Sequence, residues 1–185
     1  MIEFIEQGHI YLVEGVITPS VSKILRFVFP KKYEGIPKYI LENKADFGTN
    51  VHKAIENEFN GLETPLDPYE QMAYEQYIKL KEKHAIEPLK VEEMISYKTH
   101  YAGRLDMIAN IKGIRSLVDI KTTAKLDKEY LEWQLGMYML GLNEQMDCYC
   151  LWLPKKELGE LIKITPKTKE EIEKVIEDYE KLNTD

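Results

Sequence analysis

At 185 residues with 44% hydrophobic composition, the chain can bury one good core but is short for two independent domains. A formal net charge of −7 counts against a broad basic surface that grips a polyanion by electrostatics alone. The apolar stretches are short and interrupted by charge, and the opening Met1-Ile2-Glu3 carries no basic leader, so neither a signal peptide nor a membrane span is expected.

In chain order, Ile2 to Glu6 and His9 to Val13 read as two short strands around Gln7-Gly8, a small N-terminal hairpin, with another turn at Glu14-Gly15. Ser20 offers a cap for a helix through Val21, Ile24 and Leu25 that Pro30 stops, while the basic and aromatic segment to Asn43 has no clear period. From Ala45 to Asn60, Val51, Ile55 and Phe59 form one apolar helical face, Gly61 supplies the stop, and His52 and Glu56 lie beside that face one turn apart. Asp67-Pro68 caps a second helix to about His84, with Tyr69, Met72, Ala73 and Leu80 inward.

The pattern then becomes extended. Val91 to Tyr97, Tyr101 to Ile111 and Arg115 to Lys121 read as a meander of strands, with Lys112-Gly113 as the tight turn between the last pair. Lys128 to Asn143 is a helix rich in Leu, Met, Trp and Tyr, and Asp147 to Leu153 and Glu160 to Ile164 are strands. Thr168 with Glu171 gives a capping box for a final helix through Ile172, Val175, Ile176, Tyr179 and Leu182. This order predicts a mixed α/β sandwich. Cys148 and Cys150, two apart in a strand, are ill placed for a local disulfide and suit a reducing cytoplasm.

The chemistry concentrates in the meander. Asp106 lies near the middle of one strand, and Asp119-Ile120-Lys121 ends the next. Alternation puts Asp119 and Lys121 on one face and Ile120 on the other, and pairing through the Lys112-Gly113 turn brings Asp106 close to Asp119. Two carboxylates held that close repel each other unless a cation lies between them, and hard divalent ions such as Mg²⁺ or Mn²⁺ prefer such ligands. His52 would complete the set from a helix packed across the sheet, with the Ile120 backbone carbonyl as a further ligand. Lys121 would then stabilise negative charge developing on a phosphate. Gln134 and Tyr138, an i, i+4 pair, present hydrogen-bonding groups from one helix face.

These residues carry a family resemblance. Gly48-Thr49-Asn50-Val51-His52 with Ile55-Glu56, Gly103-Arg104-Leu105-Asp106, Asp119-Ile120-Lys121-Thr122, and Gln134 with Tyr138 resemble the RecB-like and phage exonuclease branch of the PD-(D/E)XK nucleases, over about residues 45 to 152. The resemblance implies a restriction-endonuclease-like α/β core of helix, three-stranded meander, helix and strand. The mixed central sheet would be flanked by helices and preceded by the N-terminal hairpin extension. A single nuclease domain is then expected over 1–185, with an extension at 1–44, the core at 45–152 and a C-terminal strand and helix at 153–185. By the same resemblance His52, Asp106 and Asp119 hold metal, Lys121 assists the nucleophile, and Gln134 and Tyr138 complete the site. An acidic residue upstream matches Glu93 or, equally, Glu92. His9, Tyr11, Gly15 and Pro19-Ser20-Val21 resemble the openings of phage members. The iron–sulfur members use four cysteines; with two, this chain does not build that cluster alone.

The implied activity is exonucleolytic hydrolysis of DNA at its ends during recombination or repair, in the cytoplasm of a bacterium or a phage-infected host. Related exonucleases form rings around duplex DNA, so a homo-oligomer and a recombination partner protein fall within what the resemblance allows. The competing readings are a catalytically weak DNA-binding or regulatory module on the same fold, and a small metal-dependent phosphoesterase.

Overall fold

The computed structural model describes residues 1–156 and 158–183. An N-terminal antiparallel sheet contains β1 (Ile2–Ile5), β2 (Ile10–Val13) and β3 (Val16–Thr18) in that order. The expected hairpin thus gains a third strand, because the Glu14-Gly15 turn returns the chain along β2. Helix α1 (Val21–Val28) follows, and the Ser20 hydroxyl accepts from the Lys23 amide at 3.1 Å as the predicted cap.

Helix α2 runs from Lys38 to Phe59, so it begins well before Ala45, and the expected boundary at 44/45 falls inside one helix. Its start has no side-chain cap, only Pro37 just ahead, which leaves little local signal. Val51 and Ile55 are fully buried, but Phe59 at the last turn is exposed.

Helix α3 (Pro68–His84) starts with a complete capping box between Asp67 and Glu70. Its inward face is Glu70, Ala73, Tyr77 and Leu80, whereas Tyr69 and Met72 are exposed, contrary to the sequence expectation. The reason lies in Glu70. One of its oxygens receives the Asp67 amide at 2.9 Å and the other the Asn50 amide group of α2 at 2.7 Å, so this buried carboxylate sets the rotation of the helix.

The main sheet has the strand order β4-β5-β6-β7-β8: β4 (Ile86–Tyr97), β5 (Tyr101–Ile111), β6 (Ile114–Lys121), β7 (Asp147–Trp152) and β8 (Glu160–Ile164). Within this sheet β6 and β7 pair in parallel, joined by α4 (Lys128–Leu142), while the other neighbouring strands are antiparallel, which makes the sheet mixed. At the β5–β6 turn Lys112 and Gly113 have φ of 50° and 81°, as a two-residue hairpin loop requires. β4 starts earlier than expected, with an irregularity between Pro88 and Lys90 that an edge strand tolerates.

Helices cover both faces of this sheet. On one side α1, α4 and the C-terminal α5 (Lys169–Asn183) pack Ile24, Leu25, Leu131, Leu135, Ile172 and Ile176 against Leu117, Cys148 and Cys150. On the other, α2 and α3 pack Val51, Ile55, Tyr77 and Leu80 against Met107, Val118, Ile120 and Leu151. The fold is therefore restriction-endonuclease-like, a mixed five-stranded sheet between helical layers. The small N-terminal sheet docks on β5 through Tyr11, Val13 and Ala102, and the Ala102 amide donates to the Pro19 carbonyl at 2.9 Å. Both cysteines are free and buried, and burial pushes the Cys148 thiol up to about 12. Among the described residues no helix is long and apolar enough to cross a membrane.

Candidate metal centre and active site

The site forms where three neighbouring strands carry acids at one level. The β5–β6 register pairs Met107 with Val118, so one step further Asp106 stands opposite Asp119. The β4–β5 register pairs Val91 with Met107 and Glu93 with Leu105, which sets Glu92 opposite Asp106 on the other side. Helix α2 then delivers His52, whose Nδ1 lies 3.6 Å from Asp106 Oδ1 and 3.8 Å from Glu92 Oε1. Among the described residues His52, Glu92 and Asp106 have ligand atoms within 4.8 Å of one another, close enough to share one ion.

Two further groups were expected at the site, an upstream acid at Glu93 or Glu92 and the Ile120 carbonyl. Glu93 makes an ion pair with Lys90 at 2.6 Å, away from the cluster; Glu92 takes the inward place, with φ of 55° at that residue turning its side chain toward Asp106. The Ile120 carbonyl faces the far side of the imidazole, 3.1 Å from His52 Nε2. With the proton on Nε2, His52 donates to that carbonyl and its Nδ1 lone pair points at the carboxylates. In that tautomer the Ile120 carbonyl orients the histidine. The Ile120 amide also donates to Asp106 Oδ2 at 2.7 Å, which fixes the aspartate.

Asp119 lies behind this cluster and is almost wholly buried, at 1% exposure, with Lys121 Nζ 2.6 Å from its Oδ2. Neither Asp119 oxygen has a hydrogen bond of sound geometry. Burial pushes the Asp119 carboxyl up to about 6, with Asp106 adding repulsion and Lys121 opposing both. The Lys121 ammonium is held above its usual range: burial works against the charge, but Asp119 and Asp106 outweigh it. For His52, burial likewise disfavours the proton, while Asp106 and Glu92 draw it up.

A divalent cation fits this chemistry. The donors are one imidazole nitrogen and hard carboxylate oxygens, and Asp119 Oδ1, the oxygen not facing Lys121, is buried without a hydrogen-bond partner, a shortfall that a nearby positive charge relieves.

A cleft of about 440 Å³ opens onto the cluster. Its walls include His52, Glu92 and Asp106, with His9 and Tyr11 of the N-terminal sheet and Tyr138 of α4. Asp119 and Lys121 do not line this cleft. Gln134 Nε2 donates to the Tyr138 hydroxyl at 3.1 Å, so the i, i+4 pair does share one face. Burial holds the Tyr138 hydroxyl well above its ordinary pKa, with Asp106 and Asp119 adding to the effect. Glu56 also lines the cleft and pairs with Lys53 at 2.8 Å.

Gly103 lets two elements meet beside this cleft. A Cβ there would lie 3.0 Å from Val21 Cγ2 and 3.1 Å from Tyr138 Cε1, and both neighbours are buried. Gly103→Ala is expected to cost about 1–3 kcal/mol through overpacking, read as a lower urea midpoint with an unchanged slope. An unaltered midpoint would show that Val21 and Tyr138 yield freely.

Sequence reasoning did not single out Arg104 as a functional side chain, although it stands inside the quoted Gly103–Asp106 motif. Its Nε lies 2.6 Å from Glu92 Oε2 on the cleft wall.

A family model described as the PD-(D/E)XK nuclease superfamily matches residues 68–183, more than half of the chain. His52 lies outside the matched residues. No curated protein matches. Among solved structures, the chain is similar to one described as "Crystal structure of SSO0001", with a TM-score of 0.51 and 16% identity, over 89% of this chain and 75% of that one. At that identity the likeness concerns the fold alone.

Proposed function

The chain belongs to the PD-(D/E)XK nuclease superfamily, and from that membership we propose a metal-dependent deoxyribonuclease, an exonuclease of the RecB-like and phage branch that hydrolyses phosphodiester bonds at DNA ends in recombination or repair. The observation that carries this reading is the convergence of His52, Glu92 and Asp106 on one point of the cleft, with the Asp119–Lys121 pair immediately behind. The whole chain serves as one nuclease domain in the cytoplasm of a bacterium or an infected host.

His52, Glu92 and Asp106 would hold Mg²⁺ or Mn²⁺, with Asp119 as a further acid toward the same charge. A divalent ion there polarises the phosphate and makes water a better nucleophile at neutral pH. In the hydrolysis the water oxygen bonds to phosphorus as the phosphorus–oxygen bond to the departing sugar breaks, leaving a terminal phosphate and a sugar hydroxyl. Lys121 serves as a fixed cation toward the charge that develops on the phosphate oxygens. Asp119 and Asp106 favour its charged form. The Ile120 carbonyl and amide hold His52 and Asp106 at their angles. Gln134 orients the Tyr138 hydroxyl, leaving its proton free to donate toward a substrate oxygen in the cleft.

The deciding experiment incubates the purified protein with end-labelled linear, circular and single-stranded DNA, with and without Mn²⁺. Metal-dependent loss of linear DNA with circular DNA spared is expected. Cutting of the circle would replace the exonuclease with an endonuclease, and intact DNA under every condition would favour a binding module on the same fold.

A further inference from the structure

The N-terminal sheet precedes the matched residues, yet it reaches the acidic cluster through two successive contacts. Glu92 divides its carboxylate: Oε1 stands 3.8 Å from His52 Nδ1, while Oε2 lies 2.6 Å from Arg104 Nε. Arg104 in turn sets its guanidinium carbon 5.6 Å from the centre of the Phe4 ring on β1. Phe4 is itself held among rings, 4.8 Å from Tyr11 and 5.0 Å from His9 between centres.

This chain of contacts matters because Glu92 is not held by its own backbone. It has φ of 55°, a left-handed conformation that is uncommon for a residue with a side chain and persists where the surroundings enforce it. The Glu92 side chain is 17% exposed and the Arg104 side chain 48%, so one partner is largely enclosed. An exposed ion pair by itself contributes little. Here the paired carboxylate has its second oxygen in the cluster, and fixing one oxygen fixes the direction of the other.

We propose that Arg104 is a positioning residue for the metal centre, orienting Glu92 so that Oε1 faces the ion, and that the N-terminal sheet supports it through Phe4. The inference rests on the metal-site reading above. It makes a prediction opposite in sign to simple electrostatics. Removing a positive charge near a cation site should tighten binding, whereas losing the partner that aims a ligand weakens it, commonly by about 10–100-fold.

The test is a calorimetric titration of the full chain with Mn²⁺ in the absence of DNA. Four proteins are compared: the unaltered chain, Arg104→Met, Glu92→Gln and the double variant. Arg104→Met keeps an apolar stem over Phe4, and its thermal melt reports whether it folds. Its Kd is expected to rise about tenfold or more, but to change by less than about twofold when Glu92 is already Gln, because the effect passes through that carboxylate. An unchanged or tighter Kd in Arg104→Met overturns the proposal, as does an equal loss in both backgrounds.

Phe4→Leu gives an independent reading should Arg104→Met fail to fold. Loss of the ring face under the guanidinium is expected to weaken Mn²⁺ binding about two- to fivefold, and an unchanged Kd removes the N-terminal sheet from the arrangement. If the unaltered chain binds no Mn²⁺ while its melt is native-like, the metal-site reading itself fails and this inference falls with it.

Discussion

Lys121→Met is expected to slow DNA cleavage by about 10²–10³-fold, the loss typical of removing one group that stabilises transition-state charge, while the protein stays folded. The ammonium lies 2.6 Å from Asp119 Oδ2, and its side chain is 23% exposed where that of Asp119 is 1% exposed. Met preserves most of the stem and removes only the charge. The variant strands the Asp119 carboxylate in a buried place, which would be costly if the group had to remain ionised. It need not, because burial already pushes that carboxyl up to about 6, and without Lys121 it takes a proton more readily. Catalysis and folding therefore separate in this variant. Single-turnover cleavage under saturating Mn²⁺ measures the first and circular dichroism the second. A rate within threefold of the parent, with the fold intact, would take Lys121 out of the reaction.

How much of this site was legible beforehand differs from residue to residue, for physical reasons. Strand alternation and the Lys112-Gly113 turn sufficed to set Asp106 against Asp119, because a two-residue loop fixes register and register fixes which side chains face each other. The caps at Ser20 and Asp67 were equally local. The choice between Glu92 and Glu93 was not local. It depends on a left-handed backbone at Glu92 and on an irregularity near Pro88, and neither leaves a mark in the composition of the strand. The rotation of α3 was hidden for a related reason: it follows from a hydrogen bond between Glu70 and Asn50, residues of different helices. The approach of the Ile120 carbonyl to His52 Nε2 follows from the packing of α2 against the sheet, a contact between elements that neither element's own pattern shows. Periodicity reads what one element does alone, and the site is built from contacts between elements.

Removing divalent metal should have the largest effect of all, abolishing cleavage outright, and it should also be visible without any substrate. An ion that binds the folded chain at a hundred times its Kd adds about 2.7 kcal/mol of stability. For a chain of this size that raises Tm by roughly 5–11 °C, and EDTA should reverse the rise. Asp106→Asn separates the ion's contribution from that of the framework. The Asn side-chain oxygen can still accept the Ile120 amide that Asp106 Oδ2 accepts at 2.7 Å, so the strand contact survives while the negative charge is lost. The variant should melt close to the metal-free parent and gain almost nothing from Mn²⁺. Acid should act in the same direction on the parent. Asp106 and Glu92 raise the affinity of His52 for a proton against the opposing effect of burial, so as the pH falls through that raised value protons displace the ion and the Tm gain shrinks. A gain of equal size in Asp106→Asn, or one indifferent to acid between about pH 8 and pH 5, would mean that the ion binds somewhere other than the meeting point of α2 and the sheet.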